Sequence, residues 1–271
     1  MSVNTTFHAD TSLGWRMGLA NILRYENARW RRTRRWWINL LIWTAIVNGI
    51  LLASLLSDAA EAAGIFRTPE QKLGEAMMIF AVASGLFGAI GAVIGMQGTL
   101  IDEKKSGTAA WIMSKPVSRT AFIIAKLVAN GIALPLIVVV LQSIGVYLLV
   151  SVKLEVALPL GQFAAGVGLI CLHMLFYVTL TLMLGAFFSD RGPVIGIPIA
   201  LIFCPMLLGG LLGEVAYLTP WLLVPAGSLD SLSVQALTGA PLTTPIPIFA
   251  TIIWCAIFVV AAIWRFKREE F

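Results

Sequence analysis

Few side chains in this sequence have the reactivity that catalysis requires, and their neighbours limit what each can do. His173 lies inside an apolar run, Cys171-Leu172-His173-Met174-Leu175-Phe176. A zinc peptidase helix needs His-Glu-x-x-His, which puts two imidazoles on one face beside a glutamate that activates water. Met174, Leu175, Phe176 and Tyr177 follow His173, so that pair is absent. An intramembrane serine hydrolase would need a Ser–His pair, and Ser84 in Val82-Ala83-Ser84-Gly85 is the imaginable partner. Val82 stands where a Gly-x-Ser-Gly nucleophile site has glycine. His173 is therefore read as a hydrogen-bonded residue between helices, with substrate contact as the alternative. Cys171, Cys204 and Cys255 sit in apolar runs without Cys-x-x-Cys spacing, and read as small buried apolar residues. No Gly-x-x-x-x-Gly-Lys-Ser/Thr loop occurs, so the chain has no Walker-type cradle for nucleotide phosphates. The expectation is a chain with no catalytic residue, metal or cofactor of its own; ATP and Mg, if used, are bound by another chain.

Composition says what must position these residues. Of 271 residues 59% are hydrophobic and 12% charged, and the mean hydropathy is +0.89. A soluble domain has about 45–50% apolar and about 25% charged residues, so polar surface is too scarce here to coat a globule. A spanning helix needs roughly 20 apolar residues. Six stretches qualify: Trp36–Leu56, Ala76–Gln97, Ala121–Val150, Gly161–Phe188, Pro193–Leu212 and Ile246–Phe266. The fold class is an all-α integral membrane protein. Pro193, Pro198 and Pro205 predict kinks or a break in the fifth span.

Placing both termini in the cytoplasm leaves only Arg67, Lys72 and Lys153 of the 19 basic residues outside, which satisfies the positive-inside rule. The first apolar run is expected to stay as an anchor, since no convincing signal-cleavage site closes it. Residues 1–35 form a cytoplasmic N-terminal segment, 36–266 the six-helix domain and 267–271 a cytoplasmic tail. Residues 98–119 make a cytoplasmic loop, and 57–75 and 213–245 are the larger outer connections. Tyr217-Leu-Thr-Pro-Trp-Leu-Leu-Val in the second is apolar but too short to span, which suggests an interfacial or re-entrant segment. The basic residues flank spans, so anionic lipid, not nucleic acid, is their expected counterpart. In the N-terminal segment Trp15, Leu19, Ile22, Leu23 and Trp30 recur at roughly helical spacing. Arg24, Glu26 and Arg31 fall on the same segment, as a helix lying in the headgroup zone would have them. Span two carries small residues, Gly85, Gly88, Gly91 and Gly95, and Gly209 and Gly213 repeat the spacing at the end of span five. Such faces let helices approach closely, within one subunit or across a dimer.

The stretch 102–126 is the most specific. Ser106 or Gly107 can start a short helix behind Asp102 and Glu103, with Trp111, Ile112 and Met113 as its apolar content. Lys115 precedes proline and is pushed out of the helical region, so Pro116 ends the segment. Ser118 can cap the third span, whose first turns carry Arg119 and Lys126. A greasy helix outside the bilayer must be covered, and a two-part elbow joining spans two and three is a natural lever.

This stretch resembles the cytoplasmic loop of ABC-2 type transporter permeases. The pattern is Glu-x-x-x-Gly-Thr, a mostly apolar run, a small residue, Pro, an apolar and a small residue, Arg, and Lys seven residues later. Glu103, Gly107, Thr108, Ser114, Pro116, Val117, Ser118, Arg119 and Lys126 match it in register. The family often has a Leu-rich run where this chain has AAWIM, so the groove that receives Trp111 would be particular to its own partner. The resemblance implies a coupling helix seated in a nucleotide-binding ABC ATPase subunit, with two permease chains, most simply a homodimer, and two ATPase chains. It implies a permease in a prokaryotic cell membrane, with ATP and Mg bound by the partner. The lack of acid or base clusters in the spans favours export of a hydrophobic or amphipathic substrate. The alternative is an ATP-independent secondary transporter or channel, which would need ionisable residues at mid-span.

Overall fold

The computed structural model describes residues 11–57, 67–208, 211–226 and 231–270. The described chain is built from helices, six of which are long and apolar enough to cross a membrane. A short helix α1 (Leu19–Arg32) precedes the first spanning helix α2 (Arg35–Leu55). Then follow α3 (Pro69–Lys105), the short α4 (Thr108–Met113) and α5 (Arg119–Leu154). Next come α6 (Leu160–Phe187), α7 (Arg191–Leu208), α8 (Leu232–Thr238) and α9 (Ile246–Lys267). The six spans stand where the sequence places them, with three differences at their ends.

First, α3 begins at Pro69, not near Ala76, because Thr68 closes a capping box with Gln71 and proline occupies the first turn. The outer connection expected over 57–75 is shortened accordingly. Second, α3 and α5 contain 37 and 36 residues, so each is about 55 Å long and must project beyond a hydrocarbon layer of ~30 Å. Third, α7 runs as one helix through Pro198 and Pro205, so the expected break does not occur among its described residues.

Helix α6 is the axis of the bundle, with 72% of its most apolar window buried against 17% for α2. α3, α5, α7, α8 and α9 pack around it. The apolar segment 217–224 is short, as its length requires, and folds back onto the bundle. Trp221, Leu222, Leu223 and Val224 are buried, and Trp221 Nε1 donates to the Leu201 carbonyl at 2.9 Å. Helices α2, α3 and α5 each contain a π-helical stretch: Thr44–Gly49, Val82–Phe87 and Leu136–Val140. The last follows Pro135, which lacks the amide that continues the ladder. Just past this stretch Gln142 donates to the Ile137 carbonyl at 3.0 Å, while its own oxygen accepts from Thr44 and Asn48 of α2.

The glycine face of α3 is covered by its own chain. A Cβ on Gly85 would meet Val224 Cγ1 at 2.5 Å, and one on Gly88 would meet Met174 Cε at 2.8 Å. One on Gly91 would collide with the Trp43 ring, and Gly95 lies in ordinary contact range of Leu134. These glycines let α2, α5, α6 and the re-entrant segment approach α3. Gly209 lies outside the described residues. Gly213 is not in the spanning helix: it opens a 3-10 turn with φ +48, and no neighbour lies within reach of its Cβ.

Candidate functional site

The end of the bundle that carries most of the arginines is built around the 102–119 connection. α3 stops at Lys105, and Gly107 turns the chain in the left-handed conformation, φ 72, which disfavours a side chain. α4 then runs Thr108–Met113. Ser118 starts α5 by accepting from the Ala121 amide at 2.9 Å. Pro116 lies between the two helices, in the break that the sequence predicts. Trp111 is 62% exposed on α4, and Lys115 Nζ lies 3.4 Å from the centre of its ring. Ile112 and Met113 turn inward and pack against the main core. Trp111 therefore presents α4 outward while the rest of its apolar surface is already used.

Beneath α4 lies a cluster that joins three helices. Lys126 of α5 is fully buried, and its Nζ donates to Glu26 Oε1 at 2.7 Å and to Glu103 Oε1 at 2.5 Å. Glu26 belongs to α1 and Glu103 to α3. Four residues further along both α1 and α5, Trp30 Nε1 donates to Asn130 Oδ1 at 3.1 Å. Contacts that advance by four residues in the same sense on both helices mean that α1 runs alongside the start of α5. Glu26, expected on a helix lying in the headgroup plane, is instead in the core. A 14-residue helix with an acid on its apolar face finds its partner in a lysine, not in lipid phosphate. Arg24 and Arg31 remain exposed on the opposite side of α1.

Other ties lock the elbow to the rest of this end. The Ser118 amide donates to the Met17 carbonyl at 3.0 Å, and Ser118 Oγ donates to the Trp15 carbonyl. Arg119 Nη1 donates to the Lys267 carbonyl at the end of α9, where a cation suits the helix dipole. Lys104 reaches the Ala186 carbonyl at 3.0 Å and Glu269 at 3.3 Å. Asp102 pairs with Arg191 at 2.6 Å and Lys105 with Asp190 at 3.0 Å. The residues on either side of α4 thus link α1, α3, α5, the α6–α7 corner and the end of α9. The sequence pointed to the elbow and to Glu103 and Lys126 as motif positions. It did not point to their mutual contact, and it placed Glu26 on an interfacial helix without a partner; acids and a base at helical spacing on separate helices carry no pairing signal.

The profile of the ABC-2 family transporter proteins matches residues 20–271. The chain belongs to the ABC-2 transporter family. It is therefore a multi-pass membrane subunit of the permease type, whose task is transport, not catalysis. No curated protein matches it significantly. In this permease His173 is buried within the bundle. Its Nδ1 lies 3.2 Å from the Pro220 carbonyl, and its ring meets Tyr177 edge-on at 5.1 Å. Pro220 belongs to the 213–245 connection and Tyr177 to the same helix, so the ring is tied to that connection and not to a second span. Among the described residues no group of three His, Cys, Asp or Glu side chains is placed to hold a metal ion.

Proposed function

We propose that this permease is the membrane half of an ATP-driven exporter, with α4 as the coupling helix that an ABC ATPase engages. One observation carries the reading: Trp111 stands 62% exposed on a short helix outside the spans, directly above the buried Glu26–Lys126–Glu103 cluster. An exposed tryptophan on a rigid support is a typical interface anchor, and the cluster makes that support stiff. When ATP closes a pair of ATPase subunits, motion of α4 passes as one body into α3 and α5. In the described spans no buried Asp, Glu, Lys or Arg lacks a partner, whereas an ion-gradient transporter would require an unpaired one. A hydrophobic or amphipathic substrate agrees with the apolar faces of α2, α7 and α9. Two permease chains with two ATPase chains, ATP and Mg on the ATPases, and both termini on the cytoplasmic side of a prokaryotic cell membrane complete the proposal.

The test is co-expression with the ATPase encoded beside the permease and purification through a tag on the permease. The ATPase is expected to co-purify. Trp111→Glu, on an exposed position, should abolish co-purification while the permease stays folded. Unchanged assembly and transport in that variant would sink the coupling role of α4.

A further inference from the structure

Between α1, α2 and α3, at the basic end, lies a cavity of about 340 Å³. Arg29 from the last turn of α1, Arg35 from the start of α2 and Arg191 from the start of α7 line it, with Glu26 and Asp102. Asp102 pairs with Arg191 at 2.6 Å, and Glu26 shares Lys126 with Glu103. Among the described residues neither Arg29 nor Arg35 forms a close ion pair, although Arg29 acts on Glu103 at longer range. Gly91, Gly95 and Gly98 of α3 also line it. With three arginines against two acids in its lining, the cavity keeps a net positive charge at the depth where a span begins.

The same cavity adjoins an apolar one. Gly91 and Ile94 are shared with a trough of about 420 Å³ between α2 and α3, lined otherwise by Trp43, Ile46, Ile50, Phe87 and Ile90. From Ile94 to Phe87 the helix rises about 10 Å, most of the ~15 Å that one leaflet contributes. Ile94 and Phe87 are exposed toward the outside of the bundle, so the trough opens laterally. A guanidinium-lined pocket beside an apolar trough suits an amphiphile with an anionic head.

We propose that this is a binding site for an anionic phospholipid, its phosphate held by Arg29 and Arg35 and an acyl chain laid along the α2–α3 trough. Guanidinium groups bind phosphate oxygens in paired, directional hydrogen bonds, which a zwitterionic headgroup satisfies less well because it carries its own cation. The site rests on the cavity alone and does not depend on α4 engaging an ATPase.

The test uses the delipidated full-length chain in detergent, titrated with short-chain phosphatidylglycerol, the matching phosphatidylcholine and glycerol 3-phosphate, with bound ligand read by native mass spectrometry. Phosphatidylglycerol is expected to bind more tightly than the other two. The double variant Arg29→Gln/Arg35→Gln should weaken it about 25-fold, at roughly fivefold per arginine. Arg31→Gln, exposed on α1 and outside the cavity, should change nothing. Ile50→Trp, at an exposed position that lines the trough and not the arginine cavity, should weaken phosphatidylglycerol and leave glycerol 3-phosphate unaffected; it also decides the matter if the double variant does not fold. Equal binding of phosphatidylcholine, or equal loss in Arg31→Gln, would mean only general surface attraction and would overturn the site. Glycerol 3-phosphate binding as tightly as the lipid, with Ile50→Trp silent, would mean a soluble phosphate ligand and would overturn the lipid assignment.

Discussion

Lys126→Met tests how much of the elbow depends on its buried charge cluster. The substitution keeps the length and bulk of the side chain and removes the ammonium. In the native structure that ammonium lies 2.7 Å from one carboxylate and 2.5 Å from another, at zero exposure. Taking one partner out of a buried ion pair costs about 3–5 kcal/mol, because the remaining charge is left desolvated and unpaired. Here two carboxylates are left facing each other, which places the expected loss at the upper end of that range. The two cannot both stay ionised at that distance, so one must take up a proton or move to water. Glu103, whose side chain is 14% exposed, has a way out; Glu26, at 4%, does not. Adding Glu26→Gln and Glu103→Gln to the Met variant removes every uncompensated charge, and most of the lost stability should return, since a buried pair replaced by neutral residues of similar size is often nearly neutral. The assay is unfolding of the purified permease in one detergent at one pH, followed by tryptophan fluorescence, for wild type, single and triple variants. A single variant within about 0.5 kcal/mol of wild type, or a triple variant no more stable than the single, would falsify the view that these charges hold α1, α3 and α5 together.

Two further expectations concern close approaches. Gly18 caps α1 with φ +79, and a Cβ there would meet Val117 Cγ2 at 2.7 Å. Gly18→Ala should cost about 1–2 kcal/mol from the left-handed backbone alone, and it should loosen α1 from the elbow, seen as faster proteolysis within residues 14–33. Gly85→Ala should cost about 1–3 kcal/mol by overpacking against Val224. Adding Val224→Ala should recover part of that loss in a thermal melt; if the two losses simply add, Gly85 is not the contact that seats the re-entrant segment.

The class of the molecule was legible without coordinates because it follows from local quantities. Apolar runs of spanning length, the bias of Lys and Arg to one side, and the Gly107, Pro116 and Ser118 punctuation of the elbow are each properties of neighbouring residues. The helices α4 and α5 begin and end where those residues require. Helix ends governed by longer-range effects were less visible. α3 extends to Pro69 because a capping box forms there, and α7 passes through two prolines because a bundle neighbour can stabilise a helix that its own ladder cannot complete.

What tertiary structure decided was partnership. The sequence placed Arg24, Glu26 and Arg31 on one amphipathic helix, and composition alone could not say that its acid turns inward. Lys126 looked like one more positive flank residue, since its sign satisfied the charge bias whether or not it was paired. The glycines of α3 announced close approach, yet only the packed chain shows that Trp43, Met174 and Val224 are what approaches. Periodicity and charge bias depend on residues close in sequence. The pairing of Glu26, Glu103 and Lys126 depends on three helices meeting at one depth, about 100 residues apart along the chain for the first and last. Desolvation then makes that meeting selective, because a lysine driven out of water at that point is stable only where carboxylates surround it.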